Sequence, residues 1–359
     1  MDIRVREEYL QKAKALHKEY PVVDAHLDLA GEILLRNKAG ETDVIRNYYL
    51  DNWKKAGIRL VVSSIYVPTN VLREAGTEGA WKDALAQIEA LRADCEGMPE
   101  IFVVRCKKDL ERIEEGNKIG ILIYMEGLDC IGTEKERLLE LHKLGVRGAS
   151  LTWSRENDLA TGCCKAGEYR QITGGLTELG KEVVRLMEEM HWFVDVSHLN
   201  DDGFEDVAEI TKNPFLATHS CAKAVYDNYR NLTDAQMEKL AAKGGVMGLN
   251  ACRLITGSQK GNHLEMLCRH AEYEIGKVGR EHIGFGFDLC DSYDRADYEL
   301  RRGKEKDLKP PKEADCFLDH GQIPLLTAAL LQRGMSVENV IAAMGGNFLR
   351  YFKEILPEE

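Results

Sequence analysis

The chain has 359 residues, 44% hydrophobic and 30% charged, an ordinary composition for a soluble globular protein. A net charge of −12 argues against nucleic acid and anionic membrane surfaces as partners, since both attract basic patches. No run approaches the roughly 20 apolar residues a spanning helix needs. The charged start MDIRVREEYLQKAKALHKEY lacks an apolar signal core. Ten cysteines without a CxxC motif read as reduced thiols and point to the cytoplasm. One large barrel can have this length, so a single domain over residues 1–359 is expected.

In chain order, Val5 to Tyr20 reads as a surface helix with Leu10, Ala13 and Leu16 at helical spacing, stopped by Pro21. VVDAHLDLA, Val22 to Ala30, reads as a buried strand, and the segment to Lys55 as mixed. IRLVVSSIYVP, Ile58 to Pro68, is the second strand. Trp81, Leu85, Ile88 and Leu91 mark a long helix, and Ile101 to Cys106 a short extra strand. Lys118 to Gly127 and Val146 to Trp153 are the third and fourth strands, with helical Leu138 to Leu144 between them. Thr177 caps a helix whose apolar stripe is Leu179, Val183, Leu186, Met187 and Met190.

Trp192 to Leu199 is the fifth strand, followed by a loosely patterned helix over Asp202 to Thr211. Phe215 to Cys221 is the sixth. Thr233 and Gln236 make a capping box for a helix to Lys243. Gly244 to Ala251 is the seventh strand, Leu264, Leu267 and Ile275 mark a helix, and His282 to Leu289 is the eighth strand. The charged segment Asp291 to Asp315, with Pro310 and Pro311, reads as a surface loop or lid. Helices near Ile323 to Arg333 and Val337 to Met344 close the chain, Gly345 and Gly346 ending the second before a short tail.

Eight apolar runs separated by helical stretches predict an α/β fold, a (β/α)₈ TIM-like barrel with additional N- and C-terminal helices. Chemistry in that architecture sits at the C-terminal strand ends. Glu126, His198, His219 and Asp288 occupy such ends, and His26 and Asp28 lie late in the first strand. Two residues apart in a strand, His26 and Asp28 are expected to share one face. A lone histidine or carboxylate there is usually a hydrogen-bonded structural residue or a helix cap. Their combination at one barrel end favours a metal site, because zinc and similar metals take imidazole and carboxylate ligands. His26, Asp28, Glu126, His198 and His219 suffice for two ions sharing a carboxylate, with Asp288 moving protons. Gly284 and Gly286, on Asp288's face, are expected to leave space near the barrel axis or to mark a bend. Arg230 in DNYRNLTD could clamp a substrate carboxylate or simply be a loop arginine.

DAHLDL, YMEG, DVSHL, ATHSCAKAVYDNYRNLTD and GFGFDL, in that order, resemble the membrane (renal) dipeptidase family of zinc peptidases. The resemblance runs from about Val22 to Phe352 and includes GGNFLRYF. It implies a barrel that hydrolyses dipeptides with two Zn2+, or another divalent transition metal. By resemblance, His26 and Asp28 hold the first ion, Glu126 bridges, and His198 and His219 hold the second. Asp288 is then the acid/base residue, and Arg230 contacts the substrate carboxylate or the reacting carbonyl. The sequence departs from the family at LTW, Leu151 to Trp153, where family members have LTH. Trp153 has an indole donor and a large apolar face but carries no proton at neutral pH, so it is expected to shape the substrate pocket. The polar end FKEILPEE leads to the expectation of no membrane anchor of the family's kind. The expected function is a cytoplasmic, zinc-dependent dipeptidase, as a possible homodimer with no membrane or nucleic-acid partner. A metallohydrolase of another amide or ester, or a non-catalytic metal- or peptide-binding barrel, are the alternatives.

Overall fold

Alternate residues of the apolar runs pack into two separate cores. Leu122 and Tyr124 cluster with Val23, Ala25, Leu60, Val62 and Phe193, while their neighbours Ile121, Ile123 and Met125 pack with residues of the surrounding helices. In the computed structural model, which describes residues 2–116, 118–164, 174–258, 261–305 and 308–359, the first cluster fills a barrel and the second lies between barrel wall and helices.

The strands are β1 (Val22–Leu27), β2 (Ile58–Tyr66), β3 (Ile101–Val103), β4 (Ile119–Glu126), β5 (Val146–Ser150), β6 (Phe193–Asp195), β7 (Met247–Leu249) and β8 (Ile283–Phe285). β1, β2, β4, β5 and β6 pair in that order, β3 adds to β4, and β7 pairs with β8, all in parallel. The expected sixth strand joins the two arcs through isolated bridges, Leu216 to Asp195 and Ala217 to Met247. Beyond Ala217 the ladder toward β7 continues through the Ser220 amide and the Gly248 carbonyl, while toward β6 side chains replace it: the Thr218 amide donates to the Asp195 carboxylate and the His219 amide to the Ser197 hydroxyl. At the remaining seam the Asp288 amide donates to the His26 carbonyl at 3.2 Å, and the Phe287 amide to the Asp24 carboxylate at 2.9 Å. The eight staves thus close as a (β/α)₈ barrel, with the Glu7–Glu19 helix before it and helices from Ile323 onward after it.

Some expectations need correction. The segment from Asp291 begins as a helix, Asp291–Arg301, stabilised by Arg301 pairing with Asp297 and Glu305 at 2.7 Å. The rest is irregular, and residues 306 and 307 lie outside the described residues. Gly345 and Gly346 do not end the chain's helices. They sit in a wide turn, Ala342–Gly346, that runs on into the helix Asn347–Ile355. Gly345 is small because the Pro21 carbonyl packs against it, where a Cβ would approach to 2.3 Å. Nor do Gly284 and Gly286 leave empty space. Phe348 fills the place of a Gly284 side chain, and the Thr218 carbonyl that of Gly286, 1.7 Å from where a Cβ would stand.

Because that obstacle is backbone, Gly286→Ala is expected to lower stability by more than ~3 kcal/mol or to prevent folding. Gly276→Ala, in the helix His263–Val278 with open space at its Cβ, is expected to stabilise by up to ~1 kcal/mol. Thermal unfolding of both variants checks the contrast; equal melting temperatures would contradict it.

Candidate active site

Five strand ends deliver the six predicted side chains to one mouth of the barrel. Glu126 ends β4, and alternation aims it inward after Leu122 and Tyr124. His26 reaches the same centre through an irregularity. Ala25 belongs to the inner core and Leu27 to the outer one, and the register with β2 shifts between Asp24 and Leu27. That shift lets two successive residues, Ala25 and His26, face inward. Asp28 lies beyond the strand, at the start of the helix Leu29–Lys38. The strict alternation expected for the pair is therefore corrected, although the two groups still converge, with His26 Nε2 3.9 Å from Asp28 Oδ1. His198 and His219 lie in turns after β6 and after the bridging segment. Asp288 lies past β8 with φ +56°, a left-handed conformation that aspartate tolerates better than most residues.

Three imidazoles gather around one carboxylate oxygen. Nε2 of His198, His219 and His26 lies 2.9, 3.4 and 3.5 Å from Glu126 Oε1. Each ring turns Nδ1 to a hydroxyl: His26 to Tyr124 at 3.1 Å, His198 to Ser154 at 2.9 Å, His219 to Thr218 at 2.7 Å. Nδ1–H donation to these oxygens leaves each Nε2 lone pair aimed at the centre. Thr218 in turn donates its hydroxyl proton to Asp195 at 2.6 Å. Burial keeps the imidazoles neutral. It takes the His26 pKa down to about 3 and those of His198 and His219 well below the usual value, and the Arg230 guanidinium adds to the effect in all three.

The carboxylates are displaced the other way. Burial pushes Asp28 up to about 6, and burial plus the Asp28 charge push Asp288 up to about 7. Burial and both aspartates push Glu126 well above the usual range. Ser64 donates to Asp28, and the Asn250 amide to Asp288 Oδ2 at 3.0 Å. Among the described residues His26 Nε2 is buried without a hydrogen-bond partner, and it lies 3.7 Å from Asp288 Oδ1.

These residues fit divalent cations. Bonds of roughly 2.0–2.2 Å in a tetrahedron set donors about 3.3–3.6 Å apart, and the separations here run from 2.9 to 3.9 Å. Two donor groups, His26–Glu126–His219 and His26–Asp28–Asp288, each lie within 4.8 Å. Neutral imidazoles supply the lone pairs, and the carboxylates supply a negative charge that cations would balance.

Arg230 is buried against the same cluster. Its Nη1 donates to the Ser197 carbonyl, and its Nη2 to His198 Nε2 at 3.1 Å and the His219 carbonyl at 3.4 Å. The guanidinium is thus engaged with protein acceptors, and clamping a substrate carboxylate requires it to release His198. The Trp153 ring stacks on His198 at 5.8 Å and leans on Tyr66 at 5.3 Å. Both residues line a cavity of about 330 Å³ over the donors, with Tyr66, Tyr229, Leu254 and Tyr293 completing its apolar wall. Among the described residues three larger clefts, of about 680, 660 and 390 Å³, contain none of the three histidines, so convergence and not size marks the site. Ser64, Tyr124, Ser154, Thr218 and Asn250 escaped the sequence reading. Their signal was a polar side chain inside or just after an apolar run.

A model of the membrane dipeptidase family (peptidase family M19) matches residues 10–305. The chain belongs to that family. Dipeptidase 3 of Rattus norvegicus is 28% identical over 371 aligned positions, covering 99% of this chain and 68% of that protein. The solved dipeptidase AC, a metallopeptidase of family M19, superposes with a TM-score of 0.78 at 25% identity, over 94% of this chain and 99% of that one. A metallopeptidase from Rhodobacter sphaeroides, solved with a phosphinate mimic of L-Ala-D-Ala, gives 0.77 at 25% identity over the same shares. The protein is a metallo-dipeptidase, and the resemblance in its motifs holds at the level of family, fold and enzyme class.

In this dipeptidase Thr218 orients His219, so Thr218→Val, which keeps the shape and removes the hydroxyl, should weaken metal binding ~10–100-fold. Competition with a chelator of known affinity measures it, and an unchanged affinity would contradict the role.

Proposed function

We propose that the enzyme hydrolyses the peptide bond of dipeptides at a binuclear zinc site. His26 and Asp28 would hold one ion and His198 and His219 the other, with Glu126 shared between them. The observation that carries this reading is the convergence of three Nε2 atoms on Glu126 Oε1, each orienting hydroxyl in place. Bound there, zinc would supply Lewis-acid polarisation of a carbonyl and a water ionisable near neutral pH.

The protein's own residues do the rest. Asp288 takes a proton from the attacking water and passes it to the amide nitrogen as the C–N bond breaks. Asn250 holds Asp288 Oδ2 and leaves Oδ1 turned toward His26. Arg230, once it turns from His198, offers its fork to the substrate carboxylate. Trp153 and Tyr66 wall the cavity and exclude water from one side.

Asp288→Asn is expected to retain the metals and lose about 10²–10⁴-fold in turnover. Metal analysis beside a kinetic assay on L,L and L,D dipeptides checks both parts; loss of metal together with activity would reassign Asp288 as a ligand. Trp153 carries no proton, so Trp153→Phe is expected to hold kcat within a few-fold and to change KM. A fall in kcat of about 100-fold would give Trp153 a part in the chemistry. The apolar Trp153 face also favours a second reading, hydrolysis of another amide or ester. Turnover of lactones, cyclic imides or N-acyl amino acids in preference to every dipeptide would establish it.

A further inference from the structure

A second group of metal-type donors lies apart from the catalytic set. Cys221 Sγ, a His270 ring nitrogen and a Glu274 carboxylate oxygen fall within 4.8 Å of one another. All three residues are fully buried, and none lines the catalytic cavity. Cys221 lies two residues beyond His219. His270 and Glu274 stand four residues apart on the helix His263–Val278 and so share a face.

The polar atoms of this group are poorly served by the protein. His270 Nε2 donates to the Thr256 carbonyl at 3.2 Å, which leaves Nδ1 with its lone pair free of a proton. That lone pair meets the Ala222 amide at a long 3.3 Å. The Cys221 thiol reaches the Asn250 carbonyl at 3.5 Å. The Ala222 amide, shared with His270, also approaches the Glu274 carboxylate, but among the described residues neither Glu274 oxygen gains a hydrogen bond of good geometry. A wholly buried carboxyl group held this weakly is rare and costly.

We propose that Cys221, His270 and Glu274 form a structural metal site, separate from the catalytic one, that takes a single zinc-type divalent cation. A sulfur, a nitrogen and an oxygen donor suit zinc. Binding releases the thiol proton and the carboxyl proton, so one divalent cation replaces two protons and the buried group stays neutral. The His270–Thr256 hydrogen bond is of the kind metal-bound imidazoles make with their second nitrogen. The cation would tie the helix His263–Val278 to the turn that carries His219 and so brace that ligand from behind.

The catalytic donors proposed above are all nitrogen and oxygen, so a thiolate ligand has its own signature. The full chain, stripped by chelator and reloaded with Co2+ alone, is expected to show a near-ultraviolet thiolate-to-cobalt charge-transfer band. Cys221→Ser should abolish the band, and Cys290→Ser, beside Asp288, should keep it. Glu274→Gln should contain about one zinc equivalent per chain less than the wild type. A cobalt-loaded wild type without the band, a band that survives Cys221→Ser, or an unchanged zinc content in Glu274→Gln would overturn the site. None of these results bears on the catalytic pair, which Glu126→Gln probes separately by its own loss of zinc.

Discussion

Three neutral imidazoles and three carboxylates share one buried end of this barrel, and the negative charge there exceeds what Arg230 can balance. Taking such charges out of water costs several kcal/mol each unless a partner compensates. The upward displacement of Asp28, Asp288 and Glu126 reports that unmet cost. The hydroxyls of Tyr124, Ser154 and Thr218 do not relieve it. They fix which nitrogen of each ring faces inward and so prepare the centre for cations. An apolar core of the same volume would fold more readily, and the polar cluster is intelligible as a binding site built at some expense of stability.

The barrel makes such a site rigid. The donors come from five different strand ends, His26 and Asp28 sharing that of β1, so no single loop movement can shift the whole set. The seam between β8 and β1 couples two site residues directly, through the Asp288 amide and the His26 carbonyl. Asp24 strengthens that seam, accepting from the Phe287 amide and pairing with His320 at 2.8 Å. Glycines let the wall close tightly: the Thr218 carbonyl packs where side chains of Gly248 and Gly286 would stand. Thr218 therefore serves twice, its carbonyl in the wall and its hydroxyl behind His219.

The strands were legible because their apolar runs alternate between two cores, and the site residues because each is a polar interruption at a run's C-terminal end. Glu126 followed directly from alternation. His26 did not: its inward direction depends on a register shift in β1, a tertiary feature that period-two reasoning misses. The helix Asp291–Arg301 was hidden by its charge, since its stability draws on ion pairs along one face more than on an apolar stripe. Gly345 looked like a helix terminator, but its small size answers the close approach of Pro21. Ser64 and Asn250 were unreadable because their partners lie 36 and 38 residues away in sequence.

Cations gathered around Glu126 are the centre on which the site depends, and anomalous diffraction at the zinc edge from crystals of the zinc-loaded enzyme tests for them most directly. The prediction is two peaks at the barrel mouth, one on each side of Glu126, with His26 and Asp28 beside one and His198 and His219 beside the other. A zinc-loaded crystal with no peak among these side chains would contradict it.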